Sequence, residues 1–209
     1  MKVFLVDIRT TSNDEEYQMG YDVITTYFKN NGIEWISLNE NLYGCHPSWL
    51  KLTCFNYTDD DFILCWDLDL LPKKNCPSII RYLDTTKINL AWDSSLILKN
   101  RTPFIPEFRY NCGLMGIPIS YKKVIDDIFE LRKTSSWPSW EQYHINKWLA
   151  ERNYEDVYEL DNSWNCHWHP AAVPNHYILS AKAVHFTGLN VDSENRKNLI
   201  RYYNRLFFQ

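Results

Sequence analysis

Short apolar runs alternate with longer amphipathic stretches along the 209 residues. Residues 3–8 read as a first strand, followed by a polar loop, Arg9-Thr10-Thr11-Ser12-Asn13-Asp14. Residues 15–30 carry Met19, Val23, Ile24, Tyr27 and Phe28 at helical spacing, and Asn31-Gly32 ends that helix because glycine suits the left-handed cap. Residues 33–38 give a second strand. Residues 46–52 give a short helix with Pro47 in its first turn. The nearly unbroken apolar run Phe62-Ile63-Leu64-Cys65-Trp66 predicts a buried strand. A short helix over 78–83 and a strand over 88–92 come next. Residues 101–110 hold Pro103 and Pro106 and read as a loop or edge segment.

The second half continues the alternation. Residues 114–117 form a strand, and 121–133 a helix with Val124, Ile125, Ile128, Phe129 and Leu131 inward. Residues 141–152 form a helix, 156–160 a strand, 162–174 an irregular aromatic loop, 183–186 a last strand and 194–208 a C-terminal helix. Strands alternating with helices give an α/β fold, a sheet with helices on both faces. The loops at the strand C-termini should carry the site.

One such strand end is Asp67-Leu68-Asp69, directly after 62–66. Side chains alternate along a strand, so both carboxylates fall on one side. Paired carboxylates make a hard oxygen site for Mn²⁺ or Mg²⁺, which completes its shell with water and substrate phosphates. The expectation is therefore a metal-bridged diphosphate.

Composition narrows the classes. A chain of this length suits one domain. Aromatics make up 16% of residues, with 9 Trp and 14 Tyr, more than a core requires, so some are expected to line a groove for a flat, hydroxylated ligand. The net charge of −4, with no run of Lys and Arg, argues against nucleic acid as a partner. No stretch approaches 18 apolar residues, so no membrane span is expected, and the first residues read as a strand rather than a signal peptide. Six cysteines without a C-x-x-C read as reduced thiols and point to a cytoplasmic location, where the two glycosylation sequons at Asn56 and Asn100 would be idle.

Three later segments line up behind Asp67-Leu68-Asp69. Arg109-Tyr110-Asn111-Cys112-Gly113-Leu114-Met115-Gly116-Ile117 resembles the "N-x-G-hydrophobic" segment of glycosyltransferases with the GT-A fold. Trp140-Glu141-Gln142-Tyr143-His144-Ile145-Asn146 resembles their "D-Q-x-x-x-N" helix start. Val184-His185-Phe186-Thr187-Gly188 resembles the "H-F-x-G" segment of glycosyltransferase family 8 and its relatives, and Asn162-Ser163-Trp164-Asn165 resembles the "W-N" piece of that family. The resemblance spans nearly the whole chain. It implies a single Rossmann-like GT-A domain with a central mixed, mostly parallel sheet. Residues 1–110 would form the nucleotide- and metal-binding half, and 111–209 the sugar and acceptor half. The small size and the Asn/Tyr/Ile-rich style suggest an enzyme of a large DNA virus of algae, chlorella virus type, working in the host cytoplasm, and one domain of a longer polypeptide.

The resemblance also implies roles. Asp67, Asp69 and His185 would hold Mn²⁺ or Mg²⁺. Ile8, Arg9, Thr10 and Thr11 would meet the nucleotide, with Gly188 and Asp67 at its diphosphate. Asn111, Gln142, Asp93 and Glu141 would face the sugar, with Glu141 and Asp93 as catalytic carboxylates. The partners would be a UDP-sugar donor and a glycan acceptor; the resemblance favours a retaining transfer, in which the leaving phosphate takes the acceptor proton, over an inverting one, in which Glu141 or Asp93 would be the base. Glu141 stands where the family usually has Asp, which puts the detailed sugar contact in doubt. Leu189-Asn190-Val191 replaces the family's Lys-Pro-Trp, so the usual diphosphate lysine is missing there, with Lys182 and Arg196 as substitutes.

Other readings differ on particular features. A nucleotidyltransferase would show a Gly-rich basic loop after the first strand, and residues 9–14 lack one. A carbohydrate-binding module would be a β-sandwich. A UDP-sugar-binding or hydrolytic domain without transfer would share the same motifs. His167-Trp168-His169 beside Cys166 could bind zinc, but no second ligand pair appears, and with Trp164 these side chains are expected to rim the acceptor groove.

Overall fold

The computed structural model describes residues 1–9, 14–93, 109–136, 140–168 and 179–186, with Asn198 and Arg201. The C-terminal helix, Thr10, Thr11, Gly188, His169 and Arg196 lie outside these residues apart from those two positions.

Six strands form the main sheet: β1 (Lys2–Val6), β2 (Trp35–Leu38), β3 (Phe62–Trp66), β5 (Ile88–Trp92), β6 (Tyr110–Pro118) and β7 (Val157–Leu160), in the order β2-β1-β3-β6-β5-β7. β6 runs antiparallel to β3 and β5; the other pairings are parallel. The C-terminal ends of β1, β3, β5 and β7 therefore share one edge with the start of β6. Three short strands, β4 (Leu70–Pro72), β8 (Cys166–His167) and β9 (Ala183–His185), form a second sheet ordered β4-β9-β8.

Alternation along the strands divides the core. Val3, Leu5, Leu64 and Trp66 pack on one face with Ile24 and Phe28 of α1 (Asp14–Asn30). Phe4, Ile63 and Cys65 pack on the other with Ile125 and Phe129 of α2 (Lys122–Glu130) and Ile145 and Leu149 of α3 (Glu141–Ala150). The fold is thus the expected mixed α/β sheet flanked by helices.

The cap on α1 forms as expected, with Gly32 at φ 64° and the Ile33 N–H donated back to Phe28 O. The helix at Pro47 is a 3₁₀ helix that runs on to Asn56. The strand expected at 114–117 extends from Tyr110 to Pro118 and is buried throughout. Leu131, expected inward, is exposed, because α2 gives way to a 3₁₀ turn at that residue and the helical register ends. The loop expected at 162–174 starts with a 3₁₀ turn and β8.

Candidate active site

The site is built around an irregularity in β6. Leu90 of β5 faces Met115, but its next residue, Ala91, faces Asn111, so β6 spends four residues to one of β5. Such a bulge frees backbone groups from the ladder. Here those of Cys112 and Gly113 are all used. Cys112 N–H donates to Gln142 Oε1 (3.2 Å), and Cys112 O accepts from Lys51 Nζ (3.0 Å). Gly113 N–H donates to Asn111 Oδ1 (2.7 Å), and Gly113 O accepts from Asp67 N–H (2.8 Å).

These bonds fix the direction of every neighbouring amide. With Oε1 of Gln142 turned to Cys112, its Nε2 donates to Asp93 Oδ2 (3.2 Å). With Oδ1 of Asn111 turned to Gly113, the Asn165 amide donates to that oxygen (2.9 Å) and presents its own Oδ1 to His185 Nδ1 (2.8 Å). His185 therefore donates from Nδ1, and the polarity set by the strand reaches the imidazole.

Asp67, Asp69 and His185 come together at the far end of this chain, one ligand atom of each lying within 4.8 Å of the others. Asp67-Leu68-Asp69 is a turn between β3 and β4, closed by Leu70 N–H to Asp67 O (3.0 Å), so the turn rather than strand alternation brings the carboxylates together. Gly20 of α1 allows the turn its position, since a Cβ there would overlap Leu68 O. Gly113 does the same for His185, whose Nδ1 lies 2.9 Å from where a Cβ would stand.

The donor set fits a divalent cation. His185 Nε2 lies 3.1 Å from Asp69 Oδ1. With Nδ1 committed as a donor to Asn165, a neutral imidazole turns a lone pair toward a carboxylate oxygen, and that contact calls for a cation or a proton between them. A histidine whose outer nitrogen is held by a second group is the usual form of a metal-ligating imidazole.

Lys51 joins the two ends of the site. It is buried, with Nζ 2.7 Å from Asp67 Oδ1 and 3.7 Å from Glu141 Oε1. Burial alone would lower its pKa, but the Asp67 and Glu141 carboxylates outweigh burial and raise it, so it stays an ammonium. Burial raises the Asp67 carboxyl against the pull of Lys51, and the charge of Asp69 adds to the rise.

The other expected residues are placed as follows. Asp93, at the end of β5, lies against Gln142 and, through Oδ1, against His167 Nδ1 at 3.3 Å. Asn111 Nδ2 reaches Gln142 Oε1 at 3.3 Å. Glu141 opens α3 and is buried, and Asn146 anchors that helix to Tyr110 through the backbone N–H and O of that residue (2.7 and 2.9 Å). Arg9 follows β1 and Ile8 and is clamped on Asp7 (2.6 and 2.8 Å). Lys182, expected near the diphosphate, instead bonds Ser163 Oγ (2.9 Å) over the rings of Tyr82 and Trp164. Trp164, expected at a groove rim, is fully buried, whereas Trp168 stacks on Phe186. His167 is buried against Asp93, and burial lowers its pKa despite that carboxylate. Among the described residues, Asp67, Asp69 and His185 are the one group placed to hold a metal.

Sequence reasoning missed Lys51, Asn165 and Gly20. A lone lysine inside the apolar run Trp49-Leu50-Lys51-Leu52 was the available signal, since a buried lysine needs an anionic partner. The "W-N" resemblance included Asn165 but gave it no role, and nothing local marked Gly20.

No protein-family model matches the sequence, and no curated protein matches it. Solved structures do match. A glycosyltransferase involved in glycosylation of the major capsid of PBCV-1 superposes with a TM-score of 0.72 at 12% identity, over 96% of this chain and 98% of that one. The galactosyltransferase LgtC, in complex with donor and acceptor sugar analogs, gives 0.60 at 12% identity, over 100% and 97%. The glycosyltransferase GlyE of Streptococcus pneumoniae gives 0.58 at 10%, over 97% of this chain and 59% of that one. The chain has the GT-A fold of these enzymes.

Proposed function

We propose that the chain is a metal-dependent glycosyltransferase that moves a hexose or deoxyhexose from a UDP-sugar to a glycan or protein-linked glycan acceptor, with retention at the anomeric carbon. The observation that carries this reading is the Asp67, Asp69 and His185 group beside the Lys51, Glu141, Gln142, Asn111 and Asp93 set, on one edge of a GT-A sheet. The kinship in fold with an enzyme of capsid glycosylation supports the virus-type assignment, and the six free thiols, five of them buried, support a cytoplasmic setting.

Asp67, Asp69 and His185 would hold Mn²⁺ or Mg²⁺; the nitrogen ligand favours Mn²⁺. A bound ion supplies Lewis-acid neutralisation of the leaving diphosphate. Ile8, Arg9, Thr10 and Thr11 would bind the nucleotide, and Gly188 would admit the diphosphate. Lys51 places its ammonium between Asp67 and Glu141, 2.7 and 3.7 Å from a carboxylate oxygen of each. Asn111 and Gln142 offer donors and acceptors to the sugar hydroxyls. Asp93 and Glu141 would be the catalytic carboxylates, placing negative charge beside an oxocarbenium-like sugar. In a retaining transfer the leaving phosphate can take the acceptor proton on the same face. The whole chain acts as a single domain: residues 1–110 supply Asp67, Asp69 and Lys51, and residues 111–209 supply His185 and Glu141.

Calorimetric titration of UDP in Mn²⁺ and then in EDTA tests the reading. Binding in Mn²⁺ that disappears in EDTA is expected, followed by cleavage of one member of a UDP-sugar panel. Equal binding in both conditions, or none, would overturn it.

A further inference from the structure

The Asp93 carboxylate is gripped from two elements. Gln142 of α3 holds Oδ2 at 3.2 Å, and His167 of β8 holds Oδ1 through Nδ1 at 3.3 Å. The two grips differ in origin. Gln142 is oriented by the main-sheet bulge, through Cys112 N–H. His167 belongs to the second sheet, where it pairs in register with His185, and the Trp168 N–H bonds His185 O at 2.8 Å. His167 is itself 2% exposed, and its ring lies 5.1 Å from that of His185, nearly edge-on. β8 therefore connects the strand of a candidate metal ligand to a candidate sugar-facing carboxylate.

A carboxylate held by one donor swings about its Cβ–Cγ bond; held by one donor on each oxygen, it has one orientation. We infer that His167 is a positioning residue that acts through Asp93, fixing that carboxylate as a preformed acceptor for a hydroxyl of the donor sugar and coupling its place to the strand that bears His185. This rests on the glycosyltransferase reading above. Asp93 remains the group that meets the sugar, and His167 touches neither sugar nor nucleotide. Small displacements of a group that orients substrate cost rate rather than folding, up to about 100-fold for roughly 1 Å. A role of this kind has a signature that a core histidine lacks: the loss appears with the sugar and is absent with UDP alone.

The test uses the full chain with Mn²⁺, UDP as the binding probe, and the best-cleaved of UDP-glucose, UDP-galactose and UDP-xylose as the kinetic probe. His167→Leu removes the donor to Asp93. His167→Asn keeps an amide N–H near the Nδ1 position. The leucine variant should lose about tenfold or more in kcat/KM for donor cleavage while its Kd for UDP stays within about twofold, and the asparagine variant should recover most of the loss. In an Asp93→Asn background, His167→Leu should add less than about a twofold further loss, because the residue acts through Asp93. Should the leucine variant fail to fold, His167→Gln, whose amide reaches the Nε2 position instead, takes its place with the same expectations. Unchanged donor cleavage in the leucine or glutamine variant, or an equal loss in the Asp93→Asn background, would overturn the inference alone. Wild-type protein that neither binds UDP in Mn²⁺ nor cleaves any donor would overturn the glycosyltransferase reading, and the inference with it.

Discussion

The two ends of the site are made on opposite principles. At one end, Asp67, Asp69 and His185 present acceptors to one another, and the arrangement is balanced by a cation or a proton. At the other, Asn111, Gln142 and Asp93 interlock as donor to acceptor, each amide oriented from a backbone N–H, and the set is oriented without a ligand. The first end responds to what binds there; the second is held in advance. Catalytic sites benefit from such a division, because groups fixed beforehand need no reorganisation when charge develops.

Lys51 is where the comparison breaks most severely, since it contacts both ends. Lys51→Met leaves Glu141 and Asp67 without their buried cation, and a broken buried pair costs about 3–5 kcal/mol. A urea midpoint corresponding to less than roughly 1 kcal/mol of lost stability would show that the carboxylates are adequately solvated without it. Asp69→Ala affects the ligand-responsive end alone. It should weaken UDP binding in Mn²⁺ by about 100-fold, the scale expected for loss of a hard-cation ligand, with folding unaffected. Undiminished calorimetric affinity would remove Asp69 from the metal group.

Gly113→Ala sharpens the comparison at the junction. The new methyl would press on His185 and stand 2.8 Å from Asn111 Oδ1. Metal-dependent UDP affinity should fall by about tenfold, as when a ligand's support is displaced. A variant with normal affinity would show that His185 adjusts freely. The smallest expected effect lies at the rim, where His46 stacks on Trp140 with ring centroids 3.7 Å apart and accepts the Ser48 N–H at Nδ1. His46 is exposed at its edge, but partial desolvation of the stacked ring lowers its pKa despite the nearby Glu141. Below the ordinary histidine pKa the unfolded chain takes up a proton that the folded chain resists, so stability declines as pH falls from 7 toward 5. In His46→Asn, which keeps a capping side chain, urea midpoints should fall less steeply over that range; an identical slope would clear His46 of the effect.

Much of the frame was legible because it depends on local pattern. The apolar runs 62–66 and 88–92 match β3 and β5 residue for residue, and Gly32 caps α1 as its position implies. The acidic motif and His185 were legible through their order along the chain. The long-range partners were not. Lys51 contacts Asp67 and Glu141 through tertiary packing, and its helix took the 3₁₀ form, which carries no distinct periodic signal. Trp164 looked like a groove aromatic, yet packing placed it in the core, because propensity does not say which side chain of the 3₁₀ turn before β8 the core covers. Lys182 looked like a phosphate ligand but lies over two rings and against Ser163, a contact set by the packing of two segments distant in sequence.

The bulge in β6 has an evolutionary consequence. Four of the groups that frame the site are peptide N–H and C=O groups of Cys112 and Gly113, which every residue but proline supplies identically. At Gly113 the absence of a Cβ is also required, because one would meet His185, but the peptide groups of Cys112 ask for no particular side chain. Side chains around it can drift while the scaffold persists, which is consistent with a chain that shares a fold at a TM-score of 0.72 with a protein only 12% identical.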